Sequence, residues 1–309
     1  MVSGMLYLTW KNTSMKIKDS KILVTGGAGF IGSHLCEQLV NLRAKKIISL
    51  DNYFTGSKSN HVHGVQYIFG STANIKDLIE DDVNLIFHLG EYSRVEQSFK
   101  DINLVWEYNR RGIVEILEYC RKNNTKLIYA GSSTKFGDGG LGREQSPYAW
   151  SKATNTELVN NYGRWFDLNY AITYFYNVYG GREISIGRYA TLIGIFTERY
   201  KQKLPLQIVK PGTQRRNFTH IEDVIDALIK IGEKGYGDEF GIGSSDSFNI
   251  IEVASMFKSE IEYLPERKGN RLDAEVITKK TKLIGWEPSQ KLAEYINKII
   301  SIQGNNIDS

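Results

Sequence analysis

Cysteine and histidine are scarce in this chain, and their scarcity argues against disulfide-rich and metal-binding proteins. Only Cys36 and Cys120 occur among 309 residues, and both stand in helix-like sequence, which favours burial in a core over a disulfide framework. The five histidines include one close pair, His61 and His63, and lack the ligand spacing of a zinc site. The sequence therefore predicts no metal site and favours a reducing, cytoplasmic environment.

Long hydrophobic runs and strong charge of one sign are also missing. No apolar run approaches the roughly 18 residues of a membrane helix, which argues against a membrane protein. The net charge of +4 is spread along the chain without a basic tract, which argues against a nucleic-acid partner. Residues 1–14 hold too short an apolar run for a signal peptide and are expected to form an N-terminal extension.

Short apolar segments alternate with helical patterns through the first half of the chain. Strands are predicted at 21–25, 46–50, 65–69, 84–89 and 126–130, with helices at 33–43, 75–80 and 101–123 between them. This alternation predicts an α/β fold of the Rossmann type, a doubly wound parallel sheet with helices on both faces. Such sheets bind ligands beyond the carboxyl ends of their strands, where Gly26, Asp51, Leu89 and Ser132 all stand.

A glycine motif follows the first predicted strand and opens a helix. It contains Gly26, Gly29 and Gly32, and Asp51 ends the second strand about 20 residues later. The glycines permit a tight turn, the approach of a pyrophosphate and close packing of the helix on the strand, while the helix N-terminus favours the phosphate charge. Asp51 would accept hydrogen bonds from a ribose and repel a 2′-phosphate. This pattern predicts NAD in preference to NADP.

A second motif runs from Gly131 to Lys152 and carries acid–base chemistry. It begins at a strand end, passes through a glycine-rich loop and enters a helix at Ser146, a predicted N-cap followed by proline. Tyr148 and Lys152 are four residues apart on that helix and share a face. An ammonium beside a phenol lowers the free energy needed to deprotonate the phenol. Ser132 could hydrogen-bond the same substrate oxygen.

Taken together, these motifs resemble the extended short-chain dehydrogenase/reductase family, in particular its nucleotide-sugar epimerases and dehydratases. The resemblance covers about residues 21 to 290 and is specific for the family rather than for one reaction. It rests on Thr25 to Gly32, Leu50 to Asn52 with Thr55 and Gly56, His88 with Leu89, Asn109 with Gly112, Ser132 to Gly137, Tyr148 with Lys152, Asn177 to Gly180, Gln214 to Phe218, and Gly285 to Pro288.

The resemblance implies a role for each matching residue. Tyr148 would be the catalytic base, Lys152 would hold the nicotinamide ribose, and Ser132 would bind the sugar oxygen. The implied cofactor-binding residues are Gly26, Gly29, Phe30, Ile31, Gly32, Asp51, Asn52, Leu89, Asn109, Tyr148 and Lys152. The implied substrate-binding residues are Ser133, Thr134, Asn177, Arg216, Arg267 and Glu91, with Arg216 on a phosphate, although a solvated surface position would also suit either arginine.

Departures from the family pattern bear on the reaction. Dehydratases of this family place an Asp-Glu pair where this chain has Ser133 and Thr134, so 4,6-dehydration is disfavoured. Glu91 replaces a small residue, and could be an extra acid/base, a sugar-hydroxyl acceptor or a salt-bridged rim residue. The loop from Gly137 to Ser146 is short, which indicates a more open site that could accept a hexose or a larger sugar.

The sequence thus predicts an NAD-dependent enzyme that oxidises a nucleotide-diphosphate sugar at C4, with tightly bound NAD, in glycan or polysaccharide precursor synthesis. Either inversion at C4 or a released 4-ketone would fit, so 4-epimerase and 4-dehydrogenase both stay open. The alternatives are a 4,6-dehydratase and a non-catalytic NAD-binding regulatory protein. By resemblance, a homodimer or a dimer of dimers is expected, formed by helices at about 101–123 and 147–166.

Two domains are expected. An NAD-binding Rossmann domain would comprise residues 15–180 together with 214–245. A smaller C-terminal α/β domain for the nucleotide sugar would comprise 181–213 and 246–309.

Overall fold

The computed structural model describes residues 15–266 and 275–305. The predicted N-terminal extension at 1–14 and the predicted phosphate ligand Arg267 lie outside the described residues. The strands are β1 Lys21–Thr25, β2 Lys46–Asp51, β3 Gln66–Phe69, β4 Leu85–His88, β5 Lys126–Ser132, β6 Tyr170–Phe175, β7 Val178–Tyr179, β8 Leu206–Val209, β9 Arg215–Asn217, β10 Thr219–His220, β11 Gly237–Ile242, β12 Ser247–Asn249 and β13 Ile261–Leu264.

The helices alternate with these strands as the sequence predicts for the first half of the chain. They are α1 Phe30–Asn41, α2 Ile75–Leu78, α3 Ile102–Val105, α4 Gly112–Asn123, α5 Pro147–Phe166, α6 Leu192–Lys201, α7 Ile221–Lys234, α8 Ile250–Met256, α9 Lys279–Leu283 and α10 Leu292–Asn305. The predicted helix at 101–123 forms as α3 and α4 joined by a π-helical segment, Trp106–Arg111.

Seven strands form one parallel sheet in the order β11-β6-β5-β4-β1-β2-β3. The chain winds outward from β1 in both directions, so β1 and β4 are neighbours although about 60 residues separate them. Loops after these two strands turn to opposite sides and leave a crevice between them, which is where parallel sheets bind ligands. The predicted Rossmann-type doubly wound sheet is confirmed.

Apolar helix faces cover both sides of the sheet. Ile116 on α4 and Val159 on α5 belong to one core layer, and Leu35 on α1 and Leu228 on α7 belong to the other. The strands between them are buried on both faces, which explains why β1, β4 and β5 read as continuous apolar runs rather than alternating ones.

A smaller hydrophobic core lies in the C-terminal part of the chain. It gathers Phe196 on α6, Ile208 on β8, Phe257 after α8 and Leu292 on α10. The chain also returns to the large sheet, because β11 pairs with β6, and Thr281 on α9 hydrogen-bonds the carbonyl oxygen of Gly241 at 2.6 Å. The smaller C-terminal α/β part is thus present, while the residue boundaries of the two domains stay a prediction.

Candidate active site

A single cleft at the carboxyl edge of the sheet collects nearly all the predicted site residues. It has a volume of about 520 Å³. Asn109 does not line it, and Arg267 is not among the described residues. The predicted residues in its lining are Gly26, Gly29, Phe30, Ile31, Gly32, Asp51, Asn52, Leu89, Glu91, Ser132, Ser133, Thr134, Tyr148, Lys152, Asn177 and Arg216.

The glycine turn brings the backbone of β1 close to α1. Gly26 has φ +74°, a conformation that L side chains rarely adopt, and its N–H donates to the carbonyl oxygen of Leu50 at 2.9 Å. A Cβ on Gly32 would lie 2.1 Å from the carbonyl oxygen of Gly26. Gly29 occupies the N-cap position of α1. Because glycine has no side chain, the N–H groups of the first turn receive no side-chain hydrogen bond from the cap. This helix end can accept a phosphate.

Asp51 stands at the end of β2, where a ribose would lie. Its Oδ2 accepts from the N–H of Ala28 at 2.9 Å and its Oδ1 from the N–H of Tyr53 at 2.7 Å. Burial raises the pKa of Asp51, although these two hydrogen bonds act in the opposite direction. A carboxylate held this way keeps further lone pairs for ribose hydroxyls.

Ser132 and Thr134 lie side by side at the end of β5. Their hydroxyl oxygens are 2.9 Å apart, and Ser132 Oγ also accepts from the N–H of Thr134 at 3.3 Å. The following loop folds tightly back, with Gly139 at φ +67° and Gly140 at φ +96°. Gly142 packs so closely on Thr134 that a Cβ there would lie 2.4 Å from its carbonyl oxygen. The short loop is therefore a compact turn at the cleft wall.

Helix α5 presents Tyr148 and Lys152 to the same cleft. Ser146 caps the helix by accepting from the N–H of Ala149 at 3.1 Å, and Pro147 occupies its first turn, as predicted. Tyr148 is 9% exposed and packs with Tyr92 and Val105, so little more than its cleft-facing part meets solvent. Ser132, Tyr148 and Lys152 are thus brought together as the sequence predicts.

For Glu91 the structure shows an ion pair, one of the alternatives that the sequence left open, in a buried position rather than at the rim. Its side chain is 3% exposed, and its carboxylate turns to Lys152 Nζ, with which it forms a close ion pair. Tyr129 Oη donates to the same oxygen at 2.9 Å, and Asn155 Nδ2 donates to the other at 3.2 Å. His88 Nε2 lies 3.4 Å from the second oxygen. The acid is drawn inward because Lys152, Tyr129 and Asn155 donate hydrogen bonds to it.

Asn109 lies one layer behind the cleft, in the π-helical segment. Its Oδ1 accepts from the N–H of Tyr92 at 2.7 Å, and its Nδ2 donates to the Tyr92 carbonyl oxygen at 3.1 Å and to Ser151 Oγ at 3.0 Å. These bonds connect the loop after β4 to α5. Direct contact of Asn109 with a cofactor stays a prediction, and the contacts present indicate support of the wall.

Arg94 is a cleft residue that the sequence reasoning missed. Its Nε and Nη2 donate to the carbonyl oxygen of Tyr189, and its Nη1 donates to the carbonyl oxygen of Ser93 at 3.0 Å. Burial lowers the pKa of Arg94, while the phenol of Tyr148 acts in the opposite direction. The sequence did offer a signal for Arg94: it is a basic residue six positions after the end of β4, at the sheet edge where ligands bind.

Asn177 and Arg216 line the cleft from its other side. Asn177 has φ +33°, and its Nδ2 donates to the carbonyl oxygen of Asn217 at 2.9 Å, which links β9 to the end of β6. Arg216 lies on β9 opposite Phe248 of β12. An amide and a guanidinium placed here suit the diphosphate of a sugar nucleotide, as expected, and this contact stays a prediction.

Within residues 15–266 and 275–305, no three His, Cys, Asp or Glu side chains converge as a metal site would require. None of the helices in these ranges combines the length and apolar character needed to cross a bilayer.

The cleft fits a dinucleotide. The uncapped N-terminus of α1 can take the pyrophosphate, and Asp51 can take the adenosine ribose. At the opposite end, Lys152 and Tyr148 are available to the nicotinamide half.

Comparisons with known proteins agree with this geometry. Residues 22–243 match the model of the "NAD dependent epimerase/dehydratase family". A putative UDP-glucose 4-epimerase of Methanocaldococcus jannaschii is 32% identical over 304 residues, which span 92% of this chain and 99% of that protein.

Two solved structures share the fold over nearly their whole length. The UDP-glucose 4-epimerase of Thermotoga maritima, solved with UDP-glucose, is 25% identical with a TM-score of 0.84 and covers 93% of this chain and 99% of its own. The UDP-glucose 4-epimerase of Thermus thermophilus, in complex with NAD, is 25% identical with a TM-score of 0.82. It covers 92% of this chain and 99% of its own. The resemblance inferred from sequence is confirmed: this chain belongs to the NAD-dependent epimerase/dehydratase family and is an NAD-dependent enzyme.

Proposed function

We propose that this enzyme is a nucleotide-sugar 4-epimerase. The observation that carries the proposal is the meeting of Ser132, Tyr148 and Lys152 in one cleft, with Thr134 rather than an acid beside Ser132. The three relatives named above are UDP-glucose 4-epimerases or putatively so, which supports inversion at C4 over release of a ketone. The base and the sugar of the substrate are left open.

Each residue has a task in this reaction. Tyr148 takes the proton of the C4 hydroxyl and later returns it to the oxygen. Ser132 Oγ donates a hydrogen bond to that oxygen and keeps it beside Tyr148. Lys152 Nζ orients the nicotinamide ribose beside the phenol. NAD, when bound, would supply the acceptor for the C4 hydride and the donor that returns it. Inversion requires the 4-keto sugar to turn its opposite face to the cofactor before that return.

The 4,6-dehydratase alternative lacks its acid–base pair in this cleft. Elimination of a C6 hydroxyl requires a proton donor and a base next to the sugar. The positions that would carry them hold Ser133 and Thr134, and Thr134 Oγ1 is engaged with Ser132. A hydroxyl with an ordinary alcohol's acidity is a poor substitute for a carboxylic acid at neutral pH.

The deciding experiment is NMR of the purified enzyme incubated with a panel of UDP-, dTDP-, GDP- and CDP-sugars. An inverted C4 centre supports the proposal. A 4-ketone with stoichiometric NADH would indicate a 4-dehydrogenase, and a 4-keto-6-deoxy product would indicate a dehydratase.

The matched variant for this experiment is Tyr148→Phe, which removes one hydroxyl from a residue that is otherwise packed. We expect turnover to fall by roughly 10²–10⁴-fold, because the proton of the C4 hydroxyl then has no acceptor. Cofactor content, read from absorbance after denaturation, should stay that of the wild type. Unchanged turnover would remove Tyr148 from the role of base.

We further propose that the enzyme is a cytoplasmic homodimer that supplies glycan or polysaccharide precursors. Supporting the dimer, large apolar side chains are exposed on the π-helical segment, α4 and α5. They are Trp106 at 37%, Val114 at 40%, Trp150 at 41%, Trp165 at 60% and Phe166 at 49%. Packing these helices against a second copy would remove them from water.

A further inference from the structure

Glu91 is an acid inside the active site that the proposed reaction does not use. It follows β4, and its carboxylate is buried between β5 and α5. Four side chains converge on it: Lys152 and Asn155 from α5, Tyr129 from β5, and His88 from β4. A carboxylate with so many partners is held in one position and cannot swing into the cleft without leaving buried donors unsatisfied.

The carboxylate is ionised and pairs with Lys152 as an anion. Burial raises the pKa of Glu91, but the Lys152 ammonium and the His88 hydrogen bond outweigh burial, so the pKa lies below its ordinary value. The Lys152–Glu91 pair therefore has almost no net charge. Its effect on a nearby phenol is much weaker than that of an unpaired ammonium.

The pair also fixes where Lys152 points. Lys152 Nζ has three N–H donors. One goes to Glu91 Oε2 and a second goes to the carbonyl oxygen of Ala130, which lies on β5. The ring of Tyr129 packs against the ammonium, with its centroid 4.7 Å away. One donor is left for the cleft, where the ribose is expected.

The remaining charged group near Tyr148 is Arg94, on the loop after β4. Its hydrogen bonds to the described residues go to Tyr189 and Ser93, both uncharged acceptors. The titratable groups that face Glu91 and Tyr148 are thus His88, Tyr129, Lys152 and Arg94. Arg94 also interacts with the carboxylate of Glu183. Glu91 pairs with Lys152 rather than with Arg94, so removing the charge of Glu91 breaks one ion pair only.

We propose that Glu91 is a positioning residue for Lys152: it locks the ammonium against the cleft wall and offsets the positive charge beside Tyr148. The proposal rests on the roles given to Tyr148 and Lys152 above. It predicts that this enzyme works at a higher pH than it would with a neutral residue at position 91.

The test uses Glu91→Gln in the NAD-bound enzyme. Glutamine keeps the shape and one acceptor but removes the charge. The pH dependence of kcat/KM is measured for both proteins with the nucleotide sugar that the NMR panel identifies. We expect the acid limb of the profile to move to lower pH by about 1 unit in the glutamine variant.

Tyr129→Phe is the matched control, because it removes one hydrogen bond to Glu91 and leaves the charge in place. Its acid limb should coincide with that of the wild type. An unmoved acid limb in a folded Glu91→Gln protein would overturn the proposal. This result is distinct from a failure of the epimerase assignment, which would show as no turnover of any nucleotide sugar by the wild type.

Glu91→Asp provides a second test if the glutamine variant does not fold. Aspartate keeps the charge but is one methylene too short to hold Lys152 in place. We expect kcat to fall about tenfold with little change in the KM for the sugar, since only the orientation of Lys152 is lost. Full activity in this variant would contradict a positioning role.

Discussion

At the scale of single residues, Asp51 connects the cofactor site to the loops around it. Its two oxygens already hold the backbone of Ala28, in the glycine turn, and of Tyr53, after β2. The same carboxylate is 6% exposed and lines the cleft. One side chain therefore connects both loops, and we propose that the same carboxylate binds the ribose and repels a 2′-phosphate.

Replacing Asp51 by alanine should change cofactor preference. We expect the ratio of the NADP to the NAD dissociation constant to fall at least about tenfold, equivalent to about 1.4 kcal/mol, because the repelling charge is gone. NAD itself should bind more weakly, since two backbone N–H groups lose their acceptor. Titration calorimetry with both cofactors measures the ratio. An unaltered ratio would show that Asp51 does not touch the ribose.

Glu183 should make stability depend on pH. Burial raises the pKa of Glu183 from 4.5 to about 7, although hydrogen bonds from Thr191 and Gly180 oppose this. A carboxyl whose folded pKa is raised contributes stability that is complete below about pH 4.5 and is lost as the pH rises through about 7. The loss amounts to about 3 kcal/mol in the free energy of unfolding.

The test for Glu183 is urea unfolding of the wild type and Glu183→Gln at several pH values. Other groups titrate in both proteins, so their effects cancel in the difference. The free energy of unfolding of the glutamine variant should rise relative to the wild type between pH 4.5 and pH 8. A difference that stays constant would mean that Glu183 titrates as an exposed acid.

At the scale of elements, the junction of β1 and α1 depends on glycine for space as well as for conformation. Gly32 lies in the first turn of α1, where the carbonyl oxygen of Gly26 occupies the place of a Cβ. A side chain there must push the helix off the strand, and the helix N-terminus would move away from the phosphate with it.

Gly32→Ala is therefore expected to destabilise the protein by about 2 kcal/mol and to weaken NAD binding. The control is Gly181→Ala, because a Cβ at Gly181 would lie 3.9 Å from its nearest neighbour, His34 Nε2. That variant should behave like the wild type in thermal unfolding and NAD titration. Equal behaviour of the two variants would show that α1 can shift without cost.

The π-helical segment Trp106–Arg111 is the element that the sequence did not foretell. Helical periodicity runs through 101–123 without a proline, and its one glycine, Gly112, opens α4 directly after the segment. The wider turn carries Asn109, whose side chain makes buried hydrogen bonds to Tyr92 and Ser151. Such insertions occur often at functional sites, and here it supports the wall behind Glu91 and Tyr148.

At the scale of the whole molecule, the exposed apolar side chains of the π-helical segment, α4 and α5 form one face. The rings of Trp106 and Trp150 are 5.5 Å apart, so the two helices contribute to a continuous surface. Arg110 lies over the ring of Trp150, and Arg121 lies over the ring of Phe166. These side chains cover the two rings only in part. A second copy of the chain is the proposed partner.

Val114→Glu should convert the dimer to a monomer, because it buries a charge in the interface. Light scattering after gel filtration should give twice the 35.1 kDa chain mass for the wild type and the single mass for the variant. Leu283→Glu is the control, since Leu283 is 70% exposed and belongs to α9 rather than to the π-helical segment, α4 or α5. A Val114→Glu protein that stays dimeric would place the interface elsewhere.

The sequence alone determined the parallel sheet, the glycine turn, Asp51 and the Tyr148–Lys152 pair. Each is a local pattern at a strand end or on one helix, and parallel pairing brings strand ends to one edge without further information. Only the tertiary structure decided that Glu91 faces Lys152, that Asn109 lies behind the cleft and that Arg94 lines it. Glu91 and Lys152 are 61 residues apart, and their contact depends on how β4, β5 and α5 pack, which no local spacing records.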